Sequence, residues 1–274
     1  MIVGQKTLLD KLNNYTIDTF PKSLMLVGEV GSGKHLISNK ISELLNISIE
    51  NITETISFAY ISEIYTRPNP SLYLIELDKI SIKEQNEILK LVEEPAATTF
   101  ILLLANSTAN VLETIQNRCI IWYMDKYSSE ELSSFVSENT SGEIRNVMLS
   151  IFHTPGQLVN ASADKVEEML TLAHTIYTKI NVANFSNTLS LVDKLAFKDE
   201  KTKYNVYNFS QILLFSIRNI IVEEKEAKYQ EAYKLTAKYV SDMLIPHIDQ
   251  KYLFCNFLVK LRNTMRGEMV YDDI

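Results

Sequence analysis

Eight residues, Gly28-Glu-Val-Gly-Ser-Gly-Lys-His35, constrain this chain more than any others. They fit the spacing G-x-x-x-x-G-K. They follow a short apolar run at 23–27 (Ser-Leu-Met-Leu-Val) and precede Leu36, Ile37, Ile41, Leu44 and Leu45 at helical spacing. Strand, glycine turn and helix together give that spacing a physical meaning. Glycines let backbone N–H groups converge on a phosphate, the helix N-terminus adds partial positive charge, and the lysine adds a full one. Gly28, Gly31, Ser32, Gly33 and Lys34 are therefore candidate phosphate-binding residues. Without a ligand, the same stretch would be a tight glycine-rich turn.

The next residue limits what this loop can do. A P-loop ordinarily supplies a hydroxyl to Mg²⁺ from the position after the lysine, and here that position is His35. Magnesium is a hard cation that takes oxygen ligands, so imidazole is a poor replacement. ATP or ADP is compatible with the loop, whereas productive magnesium geometry is not expected. Hydrolysis in this class also needs two adjacent carboxylates at the end of a neighbouring strand, one for the metal and one for water. The strand end reads Ile75-Glu76-Leu77-Asp78-Lys79. With Glu76 as the metal acid, the base position is Leu77; with Asp78, it is Lys79; with Glu76 as the base, the metal position is Ile75. Each register loses one member, so little or no hydrolysis is expected at this chain's own site. The same acids could simply solvate a strand end.

The rest of the chain alternates at first and then stops alternating. Residues 5–14 carry Leu8, Leu9 and Leu12 at helical spacing. Apolar runs at 72–77, 99–105 and 119–123 read as buried strands, with a helix over 82–93. Such a succession predicts an α/β domain with a mainly parallel sheet. Beyond about residue 126, helical patterns take over, at 128–138, 142–153, 164–181, 184–197, 204–226, 228–243 and 247–266, with a Thr-Pro-Gly break at 154–156. The expected organisation is an α/β domain over 1–125, a small helical domain over 126–163 and an all-α domain over 164–274. Wide apolar stripes (Val206, Phe209, Ile212, Leu213, Ile217, Ile220 and Ile221, then Ile248, Tyr252, Leu253, Phe257, Leu258 and Leu261) predict well-buried helices. Lys225, Lys228, Lys234 and Lys238 sit among acids and read as a solvated face.

Composition excludes several classes. With 46% hydrophobic and 22% charged residues over 274 positions the chain is globular. A net charge of −7 argues against a protein that coats DNA through its own basic surface. Two cysteines, Cys119 and Cys255, cannot form a four-cysteine zinc site, and no metal or zinc is expected. No apolar run approaches the ~18 residues needed to span a bilayer. A soluble, cytoplasmic protein without a membrane partner is expected.

Three further elements carry a family resemblance. Residues 86–95, Asn-Glu-Ile-Leu-Lys-Leu-Val-Glu-Glu-Pro, resemble the Glu-Glu-Pro helix of AAA+ clamp-loader subunits. Thr114-Ile-Gln-Asn-Arg118-Cys119 resembles their Thr-Ile-x-Ser-Arg-Cys element, and Gly4-Gln5 resembles the Gly-Gln that begins many AAA+ modules. Order and spacing match over residues 1–123. The resemblance implies an α/β P-loop (AAA+) domain, a helical lid and a C-terminal collar-type domain. It implies a subunit of a ring that opens a sliding clamp and loads it on primed DNA, with sister clamp-loader subunits as partners. It also implies that Arg118 is an arginine finger reaching the nucleotide of a neighbouring subunit, a role suited to a planar, permanently charged guanidinium. A local ion pair is the plainer reading of Arg118. Asn106 falls at the polar sensor position and could equally cap the next helix.

Departures refine the resemblance. In Pro155-Gly156-Gln-Leu-Val159-Asn-Ala161, Val159 stands where the family has a sensor arginine, and the segment Asn51 to Pro70 lacks the family's zinc cysteines. His35, the broken acid pair and Val159 disable the chain's own site while Arg118 is kept. That combination is most like the delta-prime subunits of bacterial DNA polymerase III, which donate a finger and do not hydrolyse. The alternatives are an active, gamma/tau-like motor subunit, which lacks its required residues here, a AAA+ helper ATPase of a phage or mobile element, and a small-metabolite kinase. The kinase reading leaves the Glu-Glu-Pro and Arg-Cys elements and the C-terminal helices unexplained.

Overall fold

The computed structural model describes residues 2–52, 56, 58–182, 195–196, 204–243, 245 and 248–268. They fold as two compact units, Met1–Phe135 with His153–Asn160, and Val136–Phe152 with Ala161–Ile274. The stretch 126–163 contributes 126–135 and 153–160 to the first unit and the remainder to the second.

The first unit is built on a parallel sheet in the order β2-β3-β4-β1-β5, comprising β1 (Ser23–Val27), β2 (Ile49–Asn51), β3 (Ser71–Glu76), β4 (Thr99–Ala105) and β5 (Ile120–Tyr123). Successive side chains leave a strand on opposite faces. Met25 and Val27 therefore join one core with Tyr73, Ile75, Ile101 and Leu103, while Leu24 and Leu26 join another with Leu72, Leu74, Phe100 and Leu102. Both faces are covered, which is why the strands read as apolar runs. Helices α1 (Lys6–Asn13) and α2 (Lys34–Leu45) close one face through Leu8, Leu12, Ile37 and Ile41. Helices α3 (Phe58–Thr66), α4 (Ile82–Glu87), α5 (Leu89–Glu93) and α6 (Glu113–Gln116) stand over the other, through Ile61, Ile64, Leu91, Val92 and Ile115 among others.

Several expected boundaries move, each for a local reason. The helix expected over 82–93 is two helices, because the fully buried Ile88 adopts ψ −7° between them. Strand β2 and helix α3 carried no expectation. The first is a three-residue edge strand paired to β3, and the second carries Ile61 and Ile64 at helical spacing. The helix expected over 128–138 is only α7 (Ser129–Ser133), because Ser133 and Ser134 donate their hydroxyls back to Glu130 O and Glu131 O and end it. The Thr-Pro-Gly break opens a helix, α9 (Pro155–Asn160), with proline at its first position, where the missing N–H costs nothing.

The second unit is helical: α8 (Gly142–Ile151), α10 (Ala163–Lys179), α11 (Val206–Glu223), α12 (Ala227–Asp242) and α13 (Gln250–Arg266). Its interior holds the aromatic group Phe209, Tyr239, Phe254 and Phe257, with Tyr239 stacked on Phe257 at 4.5 Å. The buried Tyr177 hydroxyl meets Thr236 Oγ1 at 2.8 Å, and burial raises its pKa above the ordinary tyrosine value. Helix α11 starts at Val206 and not at 204, because Asn205 caps it through Asn208 N–H; Asp249 does the same for α13 through Tyr252 N–H. Of the helix expected over 184–197, residues 184–194 and 197 lie outside the described residues. Leu195–Ala196 is instead strand β6, paired in parallel with β7 (Tyr204–Asn205). Among the described residues no helix is long and apolar enough to cross a membrane.

Candidate functional site

The glycine loop leaves the C-terminal end of β1, where Gly28 N–H donates to Ala105 O at 3.0 Å. This is the end of a parallel sheet at which open α/β folds place their ligands. Three consecutive loop carbonyls are held by protein donors: Val30 O by the Thr154 hydroxyl at 2.8 Å, Gly31 O by Gly156 N–H at 3.0 Å, and Ser32 O by the Tyr127 hydroxyl at 2.7 Å. In a trans peptide the N–H points opposite to the C=O. The amides of Gly31 and Gly33 are thus turned away from those donors, and both glycines line a cavity of about 560 Å³. Gly31 (φ +80°) and Gly33 (φ +91°) are both left-handed, the conformation that glycine adopts without steric cost. The cavity also takes in Leu36, Tyr127, Phe135, Pro155 and Val159, so much of its wall is apolar, and its size is that of a small-ligand pocket. The Ser32 hydroxyl, 3% exposed, has no hydrogen-bond partner among the described residues.

Lys34 opens α2 and is 9% exposed. Its ammonium donates to Gly28 O, to Glu29 O at 3.0 Å and to Asn106 Oδ1 at 2.9 Å. Burial lowers its pKa, while Asp78, Glu76 and Glu29 oppose that shift. The Asn106 side chain therefore turns to Lys34. The cap of the short turn that follows, Thr108–Asn110, is Ser107, which accepts from Ala109 N–H at 3.2 Å; the capping alternative for Asn106 is corrected on that ground. Gln5, 2% exposed, exchanges two 2.8 Å hydrogen bonds with the backbone of Asp125 and so ties the chain's start to the end of β5.

An imidazole stands directly after Lys34, with two carboxylates nearby. His35, on the first turn of α2, brings Nε2 to 3.7 Å from Glu76 Oε1. The same Glu76 oxygen is taken by Lys79 Nζ at 2.8 Å, and Asp78 Oδ2 accepts Asn106 N–H at 2.8 Å. Among the described residues no three His, Cys, Asp or Glu side chains converge as a metal set. Magnesium wants hard oxygens in octahedral order. Here an imidazole follows the lysine, and both nearby carboxylates accept hydrogen bonds from protein donors.

Arg118 lies elsewhere. It precedes β5, whose register places Ile120 beside Leu24, and shares a cleft with Lys22 and Ser23 at the start of β1. The loop follows the other end of β1. A five-residue strand separates the two by roughly 15 Å. Arg118 Nε meets Glu93 Oε2 at 2.9 Å, and Nη1 donates to Thr114 O at 2.9 Å. Cys119 donates its thiol to Ile115 O at 3.3 Å, and burial pushes its pKa up to about 11.

Sequence reasoning missed Thr154 and Tyr127 and saw Gly156 only as part of a motif. Their contacts with the loop span 95 residues or more, and no local pattern announces them. Replacing Thr154 by valine removes both its donation to Val30 O and its acceptance of Gln157 N–H, which caps α9. The expected cost is about 1–2 kcal/mol. A thermal melt of Thr154→Val is expected to fall by roughly 3–6 °C; an unchanged melt would show that the tie carries no stability.

Comparison with known proteins places these residues in context. The family described as "DNA polymerase III, delta subunit" matches residues 35–128, a span that includes His35, Glu76, Asn106 and Arg118. The chain is 26% identical over 83 residues to a DNA polymerase III subunit delta' of Haemophilus influenzae, covering 30% of this chain and 25% of that protein. It is 24% identical over 172 residues to a replication factor C small subunit of Staphylothermus marinus, covering 56% of this chain and 52% of that one. The chain thus spans about a quarter and about half of the lengths of these curated relatives. A gamma subunit-related DNA polymerase III protein of Thermotoga maritima superposes with a TM-score of 0.51 at 14% identity, over 96% of this chain and 100% of that one. At that identity the superposition speaks for the fold alone.

Proposed function

We propose that the chain, a clamp-loader-like AAA+ protein, serves in DNA replication as a non-hydrolysing subunit of a sliding-clamp loader, most like a delta-prime subunit. Its partners in this reading are sister loader subunits, with the clamp and primed DNA met through the complex. Its work is to present Arg118 to the nucleotide of a neighbouring ATPase subunit.

The observation that carries the reading is the location of Arg118. It stands at the start of β1, while the chain's own loop stands at the end. A guanidinium there is out of reach of its own pocket and is accessible to a neighbour. Where charge develops on a phosphoryl group in transfer, a fixed cation lowers the barrier without further reorganisation. The chain's own loop supports the other half of the reading. Lys34 is committed to two loop carbonyls and Asn106, Glu76 to Lys79, Asp78 to Asn106 N–H, and the residue that follows Glu76 is Leu77 and not a second acid. In this reading ATP or ADP rests in the pocket against the Gly31 and Gly33 amides, with no turnover there.

The test is nucleotide hydrolysis by the isolated chain and by the complex reconstituted from it, its sister subunits, clamp and primed DNA. The expected result is no turnover by the chain alone, and complex turnover within about twofold of wild type when Lys34→Ala replaces it, because the site plays no chemical part. Brisk turnover by the isolated chain, abolished by Lys34→Ala, would make the chain a motor and overturn the reading.

A further inference from the structure

Glu93 ends α5, and its carboxylate takes Arg118 Nε at 2.9 Å. The other contact of the guanidinium is the Thr114 carbonyl, to which Nη1 donates. That carbonyl lacks its helical donor, because Arg118 N–H goes to Ile115 O instead. One guanidinium nitrogen, Nη1, is therefore hydrogen-bonded within the chain, and the Glu93 carboxylate holds the group by its charge. Nη2 has no hydrogen-bond partner among the described residues, and the side chain stays 34% exposed.

The support behind Glu93 is itself fixed. Ser23 donates its hydroxyl to Val92 O at 2.7 Å, next to Glu93. The Tyr65 hydroxyl faces the carbonyls of Lys90 and Glu94 at 3.0 and 3.1 Å, holding the end of α5. The residue before Arg118's anchor and the residue after it are thus tied to β1 and α3.

The pair has little to do with holding the fold together. Glu93 is 52% exposed, and ion pairs at such exposure add little stability. Its value is orientational. A free arginine surrenders rotamer freedom when it binds a phosphate, and one already held by its own chain surrenders less. Preset geometry of this kind acts on the chemical step more than on nucleotide affinity.

We propose that Glu93 is a positioning residue that presets Arg118, leaving the Nη2 edge to meet a neighbour's phosphate oxygens; this rests on the proposed finger role of Arg118. In the complete reconstituted complex, Glu93→Ala is expected to lower kcat at the neighbouring site about tenfold, with KM within about twofold. Glu93→Asp, which keeps the carboxylate charge, is expected to recover part of the loss. Added to Arg118→Ala, Glu93→Ala should cost nothing more, because the two act as one unit. With ¹⁵N-arginine in the chain, the Arg118 Nη1–H that donates to Thr114 O should be exchange-protected in wild type and lose that protection in Glu93→Ala. If Arg118→Ala costs the complex nothing, the finger reading fails and this proposal falls with it. If Arg118→Ala is severe while both Glu93 variants keep wild-type kcat, the finger stands and the positioning role is overturned. A rise in kcat would also overturn it, since Glu93 would then be a restraint on the guanidinium.

Discussion

Replacing Arg118 by alanine is expected to slow hydrolysis at the neighbouring subunit's site by about 10³-fold or more, the range seen when a phosphoryl-transfer site loses a guanidinium supplied from outside. The chain itself should be unharmed. Arg118 is partly exposed, and its pair with the half-exposed Glu93 contributes about 0–1 kcal/mol at most. Its melt should match wild type, which separates a chemical loss from a folding loss. Lysine should not restore activity. Its single ammonium cannot hold Glu93 and Thr114 O while still offering an outward fork to phosphate oxygens. Single-turnover measurement on the complete complex, with assembly checked by gel filtration, reads the effect directly. An Arg118→Ala complex that assembles and turns over at the wild-type rate would remove the finger from the account and leave Arg118 as a local ion pair.

Replacing Gly156 by alanine is expected to be strongly destabilising for the α/β unit. A Cβ on Gly156 would stand 2.6 Å from Gly31 Cα and 3.0 Å from Gly31 O, against backbone that cannot rotate aside. The Gly156 N–H to Gly31 O bond and the Thr154 tie to Val30 O would have to open together. A cost of about 3 kcal/mol follows from overpacking of this kind. That lowers the melting midpoint of the unit by roughly 6–12 °C. Gly31→Ala should be at least as severe. Its Cβ would meet Thr154 Oγ1 at 2.7 Å and Gly156 Cα at 2.9 Å, and φ +80° adds strain for any side chain. Thermal unfolding followed by circular dichroism checks both, and a Gly156→Ala chain melting like wild type would mean that α9 is free to lift from the loop.

Much of the α/β unit was legible because its signals are local. Strand β1, the loop and α2 lie within 23 consecutive residues, and β4 announced itself as six apolar residues in a row after Thr99. The sheet buries both faces, so its strands needed no alternation to be seen. The elements that escaped were short or interrupted. Strand β2 has three residues and borrows its pairing from β3. Helix α7 is cut short by two serines that bond back to the preceding turn. In the helical unit, Asn205 and Asp249 set the true starts of α11 and α13 inside longer apolar patterns, since a cap is one side chain and periodicity averages over a dozen.

The sequence by itself determined that a glycine loop joins a buried strand to a helix, that no adjacent acid pair follows, and that imidazole stands where a magnesium hydroxyl would. Each of these is a matter of which residue occupies which place along a few consecutive positions. Tertiary structure decided the rest. Only the packed sheet puts Arg118 at the end of β1 remote from the loop, because parallel register sets β5 beside β1. Only folding brings Glu93 to Arg118 across 25 positions, Asn106 to Lys34 across 72, and Thr154 to Val30 across 124. Those partners depend on hydrogen-bond distances between groups far apart in the chain, and no residue pattern encodes such a distance before the cores that fix it have formed.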